Sequence, residues 1–186
     1  QITEPSALSV IETHTDVLCS GNTDGTINLS VSGGTSPYAF IWNDGNSIQN
    51  RAGVSAGNYT VTISDNNSCS SSITVSVTEP PPLTVSETHV NIACSGGTGS
   101  IDITSTGAVS PYNYLWSDGI TTEDRSNLVL GSYVITITDN NSCSSSLNVI
   151  IGSNSGIVVT ETHTDVTCFG GNNGVIDITT TGGVSP

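Results

Sequence analysis

The chain has 186 residues and a formal net charge of -14, carried by sixteen acidic residues against two arginines and no lysine. That balance excludes nucleic-acid binding, which needs a basic footprint on phosphates, and disfavours anionic membrane surfaces. No apolar run reaches the length that spans a bilayer, so no membrane insertion is expected, and without lysine the only covalent staple left is cysteine.

Taken in order, the apolar residues alternate with polar ones as in half-buried strands. Leu8 and Val10 open the series on even positions, and Val17 and Cys19 continue it on odd ones. Such a change of parity needs a kink, as where an edge strand crosses from one sheet to another. Ile27, Leu29 and Val31 form the next run, then Tyr38, Phe40 and Trp42, then Tyr59, Val61 and Ile63. The turn DNNSCSSS at 65–72 follows, and Ile73, Val75 and Val77 close the unit.

The series then restarts. DNNSCSSS returns at 139–146, Cys19 recurs as Cys94 and Cys168, Trp42 as Trp116, Arg51 as Arg125, and Tyr59 as Tyr133, always 74 or 75 residues on. A fixed period of this length marks tandem structural units. The expected division is 1–5 as the tail of a preceding repeat, 6–80 and 81–154 as two full repeats, and 155–186 as the first part of a third, a window cut from a longer array. Short β-branched runs separated by Gly, Asn, Asp and Pro predict an all-β fold of tandem immunoglobulin-like antiparallel sandwiches with a split first strand, in an extended array. The junction at 79–82 is proline-rich and stiff, whereas 152–156 is Gly/Ser-rich and permissive, so the first should be the straighter.

Periodic cysteines in small polar domains point to an oxidising, extracytoplasmic setting. The expected bridges are Cys19–Cys69 and Cys94–Cys143 within repeats, with Cys168 paired beyond Pro186. Each would close a loop of about 50 residues and stabilise its domain by about 4 kcal/mol. The alternative is Cys19–Cys143 between neighbours, because a meander sets its first and last loops at opposite ends of a domain.

Trp42 and Trp116 share a face with neighbouring aromatics and read as buried core anchors rather than sugar platforms. Tyr59 and Tyr133 should pin a corner through a hydroxyl bond, and Arg51 and Arg125 should pair with a nearby carboxylate. Asp65 and Asp139 are the residues that would offer oxygens to calcium, although an Asp/Asn-rich turn explains them through side-chain-to-backbone bonds. Glu12-His14-Asp16 recurs as Glu87-His89-Asn91 and Glu161-His163-Asp165, but residues i and i+4 on a strand stand about 13 Å apart, too far to share one ion. No metal site or cofactor is expected, and no nucleophile–base pair or phosphate loop is present, so the chain reads as non-enzymatic.

The segment CSGNTDGTINLSVSGGTSPYAFIWNDG, followed by AGNYTVTISDNNSC and VTEP, resembles the SprB-type repeats of giant surface adhesins from gliding Bacteroidetes. Its Gly-x-Tyr-x-Val-x-Ile-x-Asp segment is also similar to PKD and related immunoglobulin-like modules. Departures are confined to turns: Ala108 stands where the first repeat has a second glycine, and the loop after Cys94 is one residue shorter. The resemblance implies a secreted stalk, exported by type IX secretion, attached to the outer membrane at the cell surface and used in adhesion during gliding motility. Its partners would be neighbouring repeats and, through other domains, an extracellular surface or glycan. A repeated glycan-binding module acting by avidity, or a subunit of a surface filament, is the alternative.

Overall fold

A computed structural model describes residues 4–93, 96–153 and 156–183. Fourteen strands and, among the described residues, no helix make up the fold: β1 Ser9–Thr15, β2 Gly25–Ser32, β3 Ala39–Trp42, β4 Arg51–Val54, β5 Gly57–Ser64, β6 Ser70–Val77, β7 Thr84–Val90, β8 Gly99–Thr106, β9 Asn113–Trp116, β10 Arg125–Leu128, β11 Gly131–Thr138, β12 Ser144–Ile151, β13 Val158–Thr164 and β14 Val175–Thr181. The first six form two three-stranded sheets, in the orders β1-β2-β4 and β3-β5-β6. Strands β7 to β12 repeat that arrangement as β10-β8-β7 and β12-β11-β9, and β13 pairs with β14 alone. The fold is all-β and immunoglobulin-like.

By contact the chain forms two compact units. One comprises Gln1–Thr84 with Ser105–Asn113 and Thr138–Ser145; the other comprises Val85–Thr104, Tyr114–Ile137 and Ser146–Pro186. Contact units and sequence period therefore do not coincide, because 105–113 and 138–145 cluster with the first period. The 152–156 junction includes Asn154 and Ser155, which lie outside the described residues.

Alternation fixes the core of the first unit. Ile27 and Leu29 of β2 face Trp42, Val61, Ile63, Val75 and Val77 from the other sheet, with Val17 and Val54 completing the cluster. Strand β8 repeats the burial pattern of β2 residue for residue, with Ile101 and Ile103 inward. Strand β4 had no periodic signal: of Arg51-Ala52-Gly53-Val54 only Val54 is fully buried, so one inward residue carries it.

The kink after β1 is a change of sheet. β1 pairs with β2 in antiparallel register from Ser9↔Ser32 to Thr15↔Thr26. Two residues on, the Val17 amide donates to the Thr78 carbonyl at 2.9 Å, just past β6 of the other sheet. Asp16 makes the turn, its Oδ1 accepting the Thr78 amide at 2.7 Å. In the second unit the Ile92 amide donates to the Gly152 carbonyl at 2.9 Å, and Asn91 Oδ1 accepts the Gly152 amide at 2.7 Å. That position needs a side-chain acceptor, and Asp and Asn both supply one.

Candidate functional site

Crossing to β6 delivers Leu18 and Cys19 to a turn beyond the end of that strand. The turn is held by its own polar groups: Asp24 Oδ1 accepts the Leu18 amide at 3.1 Å, and the Asn22 amide donates to the Cys19 carbonyl at 3.0 Å. Glu79 clamps it from outside, with Oε2 accepting the Gly21 amide at 2.7 Å. Against this turn, within the same compact unit, lie residues 139–145 of the second DNNSCSSS copy. Cys19 and Cys143 form a disulfide with a Cα–Cα distance of 5.7 Å and a sequence separation of 124. Asn141 Nδ2 donates to the Leu18 carbonyl at 3.0 Å, and Cys143 Sγ stands 3.4 Å from the same oxygen.

The expected Cys19–Cys69 and Cys94–Cys143 bridges are thus corrected: Cys143 is bonded to Cys19, and Cys69 is a free, exposed thiol. Strand length gives the reason. Cys19 sits near Glu79, past the C-terminal end of β6, whereas Cys69 immediately precedes its N-terminus. Eight strand residues separate those ends by roughly 26 Å, far beyond the 7 Å a bridge tolerates. Cys94 lies outside the described residues, and Cys168 is free and exposed.

The repeated turn is organised by its aspartate. Asp65 is almost fully buried, and its Oδ1 accepts the amides of Asn67 at 2.9 Å and Cys69 at 2.8 Å, while Oδ2 accepts Thr35 at 2.9 Å. Asp139 does the same with Asn141, Cys143 and Val109 at 2.9, 2.7 and 3.0 Å. The residues that would offer oxygens to calcium spend them on backbone amides. The Thr35 amide, followed by those of Cys69 and Asn67, holds the Asp65 carboxyl below the usual range against the opposing effect of burial. Ser68 and Ser142 sit at φ 66° and 69°, the left-handed conformation that lets the chain reverse immediately before each cysteine.

The tryptophans are buried, Trp42 at 1% exposure and Trp116 at 2%, and their Nε1 groups donate to the Ile48 and Thr122 carbonyls at 2.7 and 2.8 Å. Arg51 lies 5.3 Å from the Trp42 ring centre and 5.6 Å from that of Tyr59, and grips Asp44 through both terminal nitrogens at 3.2 and 2.7 Å. Arg125 repeats this on Trp116, Tyr133 and Asp118. Each guanidinium lowers the carboxyl pKa of its aspartate. Tyr59 and Tyr133 donate to the Ser55 and Val129 carbonyls at 2.9 and 3.0 Å. Both are half-buried rather than core, because one face of each ring meets an arginine instead of the apolar interior.

His14 Nδ1 is 3.0 Å from Glu12 and its Nε2 3.8 Å from Asp16, on an exposed strand. His89 meets Glu87 at 2.9 Å. Among the described residues no three His, Cys, Asp or Glu side chains gather as a metal site. A groove of about 420 Å³ passes the disulfide, lined by Cys19, Ser20, Asn22, Pro82 and Ser142 among others, with no acid or base in its wall. Reading single residues missed Glu79 and Asn141, which hold the junction together. The recurring VTEP and DNNSC motifs were visible, but what they touch lies 58 and 123 residues away in sequence.

Comparison with solved structures shows weak likeness to immunoglobulin-type chains. The structure of DIP-gamma IG1+IG2 matches with 11% identity over 78% of this chain and 97% of that one, at a TM-score of 0.41. The amphioxus IgVJ-C2 molecule matches with 14% identity over 81% of this chain and 98% of its own, at 0.33. Domains 1–6 of the surface layer protein SbsC match with 17% identity over 96% of this chain and 37% of theirs, at 0.31. No curated protein sequence matches. The SprB repeat profile matches residues 11–47, 86–121 and 160–186, once in each period and over more than half of the chain. The chain belongs to the SprB repeat family.

Proposed function

We propose that this chain is a non-enzymatic spacer, a run of structural repeats in the stalk of a large adhesin at the surface of a gliding bacterium. On this reading the protein is exported by type IX secretion, attached to the outer membrane and extracellular, and its immediate partners are its own neighbouring repeats. The family match supports the placement at a cell surface. The observation that carries the spacer role is the Cys19–Cys143 bridge, which ties the opening turn of one period to the closing turn of the next. A stalk must keep its length under load, and a covalent tie between periods serves that purpose without any ligand.

Single-molecule pulling from the two ends tests the reading. With the bridge intact, the 124-residue separation is withheld from extension, a contour of about 410–450 Å. Under reducing conditions that length should appear. Full extension of the oxidised chain at low force would contradict a load-bearing role.

A further inference from the structure

The outermost strand of a sheet offers unpaired backbone groups to any second strand, and soluble chains blunt it with charge, proline, a bulge or short length. In the first two periods most edges are blunted. Strand β1 sets Glu12 and His14 opposite Leu29 and Ile27, which puts both ionisable side chains on the inner face. Strand β7 carries Glu87 and His89 at the matching places. The pairings of β4 with β2 and of β10 with β8 shift register, and β3 and β9 are only four residues long.

The two closing strands, β6 and β12, have none of these devices. Each ends its sheet, and their sequences, SSSITVSV and SSSLNVII, hold no charge and no proline. Strand β6 runs against β5 from Gly57↔Val77 to Ser64↔Ser70 without a shift. Flanking bonds fix which backbone groups look outward. The Cys69 carbonyl accepts the Asp65 amide across the hairpin, whereas the Thr78 amide and carbonyl turn away from β5, to Asp16 and Val17. Backbone groups alternate sides along a strand, so those of Ser70, Ser72, Thr74 and Ser76 point outward as those of Thr78 do, and all four residues are exposed. Cys143 and Gly152 are bonded in the same two ways, which turns the groups of Ser144, Ser146, Asn148 and Ile150 to the edge of β12. These residues are exposed with the Cys19–Cys143 bridge in place.

We propose that this edge is an interaction surface whose partner is the closing strand of a second copy of this chain, added antiparallel so that sheets of two molecules join. Charge favours that partner. Chains of formal charge -14 repel one another, and β6 and β12 are strips on which two copies can meet with no carboxylate between them. Charge also sets the direction. Asp16 and Glu79 lie at the C-terminal end of β6, where a parallel pair would set them beside their own counterparts. An antiparallel pair holds them apart by the length of the strand, roughly 26 Å. A register centred on Ile73 places Ser72 opposite Thr74 and Ser70 opposite Ser76, and uses every outward amide and carbonyl of β6. The half-buried Ile73 then meets its own counterpart on the inner face. One strand pair buries less than the roughly 1,200 Å² of a stable interface, so the association is weak and depends on concentration.

Sedimentation velocity and residue-resolved amide exchange over a wide concentration range test the proposal. A reversible dimer is expected, which runs as single chains in denaturant without reductant. The Ser72, Thr74, Ser146 and Asn148 amides should exchange freely in dilute solution and at least about tenfold more slowly in the dimer. Ser72→Pro combined with Ser146→Pro removes one outward amide from each edge and spares the ladders to β5 and β11, so it should stay monomeric. Ser72→Glu combined with Ser146→Glu changes only exposed side chains, brings carboxylates of the two copies together, and should have the same effect. Near-ultraviolet circular dichroism of the buried tryptophans verifies that each variant folds. A native chain that is monomeric throughout, a dimer that a folded double variant leaves intact, a covalent dimer, or protection that appears on β1 or β4 instead would overturn the proposal.

Discussion

Replacing Cys19 and Cys143 together by serine removes the bridge with little change in side-chain volume. The cross-link spans 124 residues, and in the chain-entropy account its loss frees the unfolded state by about 5 kcal/mol. Losing the Asn141–Leu18 hydrogen bond as the two turns part adds about 1 kcal/mol at most. For a chain of this size each kcal/mol moves the melting temperature by about 2–4 °C, so a drop of roughly 10–20 °C is expected. Trp42 and Trp116 are buried and report the transition by fluorescence. Reducing the native chain with dithiothreitol should produce the same shift, and dithiothreitol should not shift the variant further. A change below about 1 kcal/mol, or a large further effect of reductant on the variant, would refute the reasoning.

Gly33→Ala should cost about 2–4 kcal/mol, since φ is 73° and a Cβ there would collide with the Ala7 carbonyl oxygen; Ala108→Gly, releasing a residue at φ 48°, should instead stabilise by up to about 1 kcal/mol, both read from urea unfolding midpoints. Asp65 has a folded pKa lowered by the Thr35, Cys69 and Asn67 amides, so its contribution is complete above its unfolded value near 3.8 and is lost as pH falls through the folded value. The stability gap between wild type and Asp65→Asn should therefore be constant from pH 7 to 5 and narrow below pH 4, and a gap that widens in acid would contradict this. Arg51→Lys should cost about 1–2 kcal/mol by losing its stacking on Trp42 and Tyr59, measured by the same unfolding. Acrylamide should quench both tryptophans poorly in the folded chain, and strong quenching would favour exposed sugar platforms instead.

Alternation made most strands legible, because period two with β-branched residues has one physical meaning when one face is buried. Parity also revealed the sheet crossing at Asp16, since Val17 cannot face inward from the register of Val10 without a kink. Strand β4 escaped for the opposite reason: it buries one valine, and its place is set by pairing with β2. For the cysteines the pairing within repeats was preferred and its alternative, Cys19–Cys143, is the one formed: topology had already set the first and last loops at opposite ends, and the preference for repeats that mature alone outweighed it. The length of β6 separates Cys19 from Cys69. The arginines were legible as partners of a carboxylate but not as caps on two aromatic rings, since Asp44, Trp42 and Tyr59 converge on Arg51 only through the fold.

The central claim is that successive periods are stapled to one another, and its most direct test is a tryptic map of the alkylated, unreduced chain. Arg51 and Arg125 are the only arginines and there is no lysine, so trypsin leaves three peptides, 1–51, 52–125 and 126–186. Cys19–Cys143 joins the first to the third and leaves Cys69, in the middle one, alkylated. A cross-linked species that sequencing places at Cys19–Cys69 or Cys94–Cys143 would mean bridges within each period, and the account would fail.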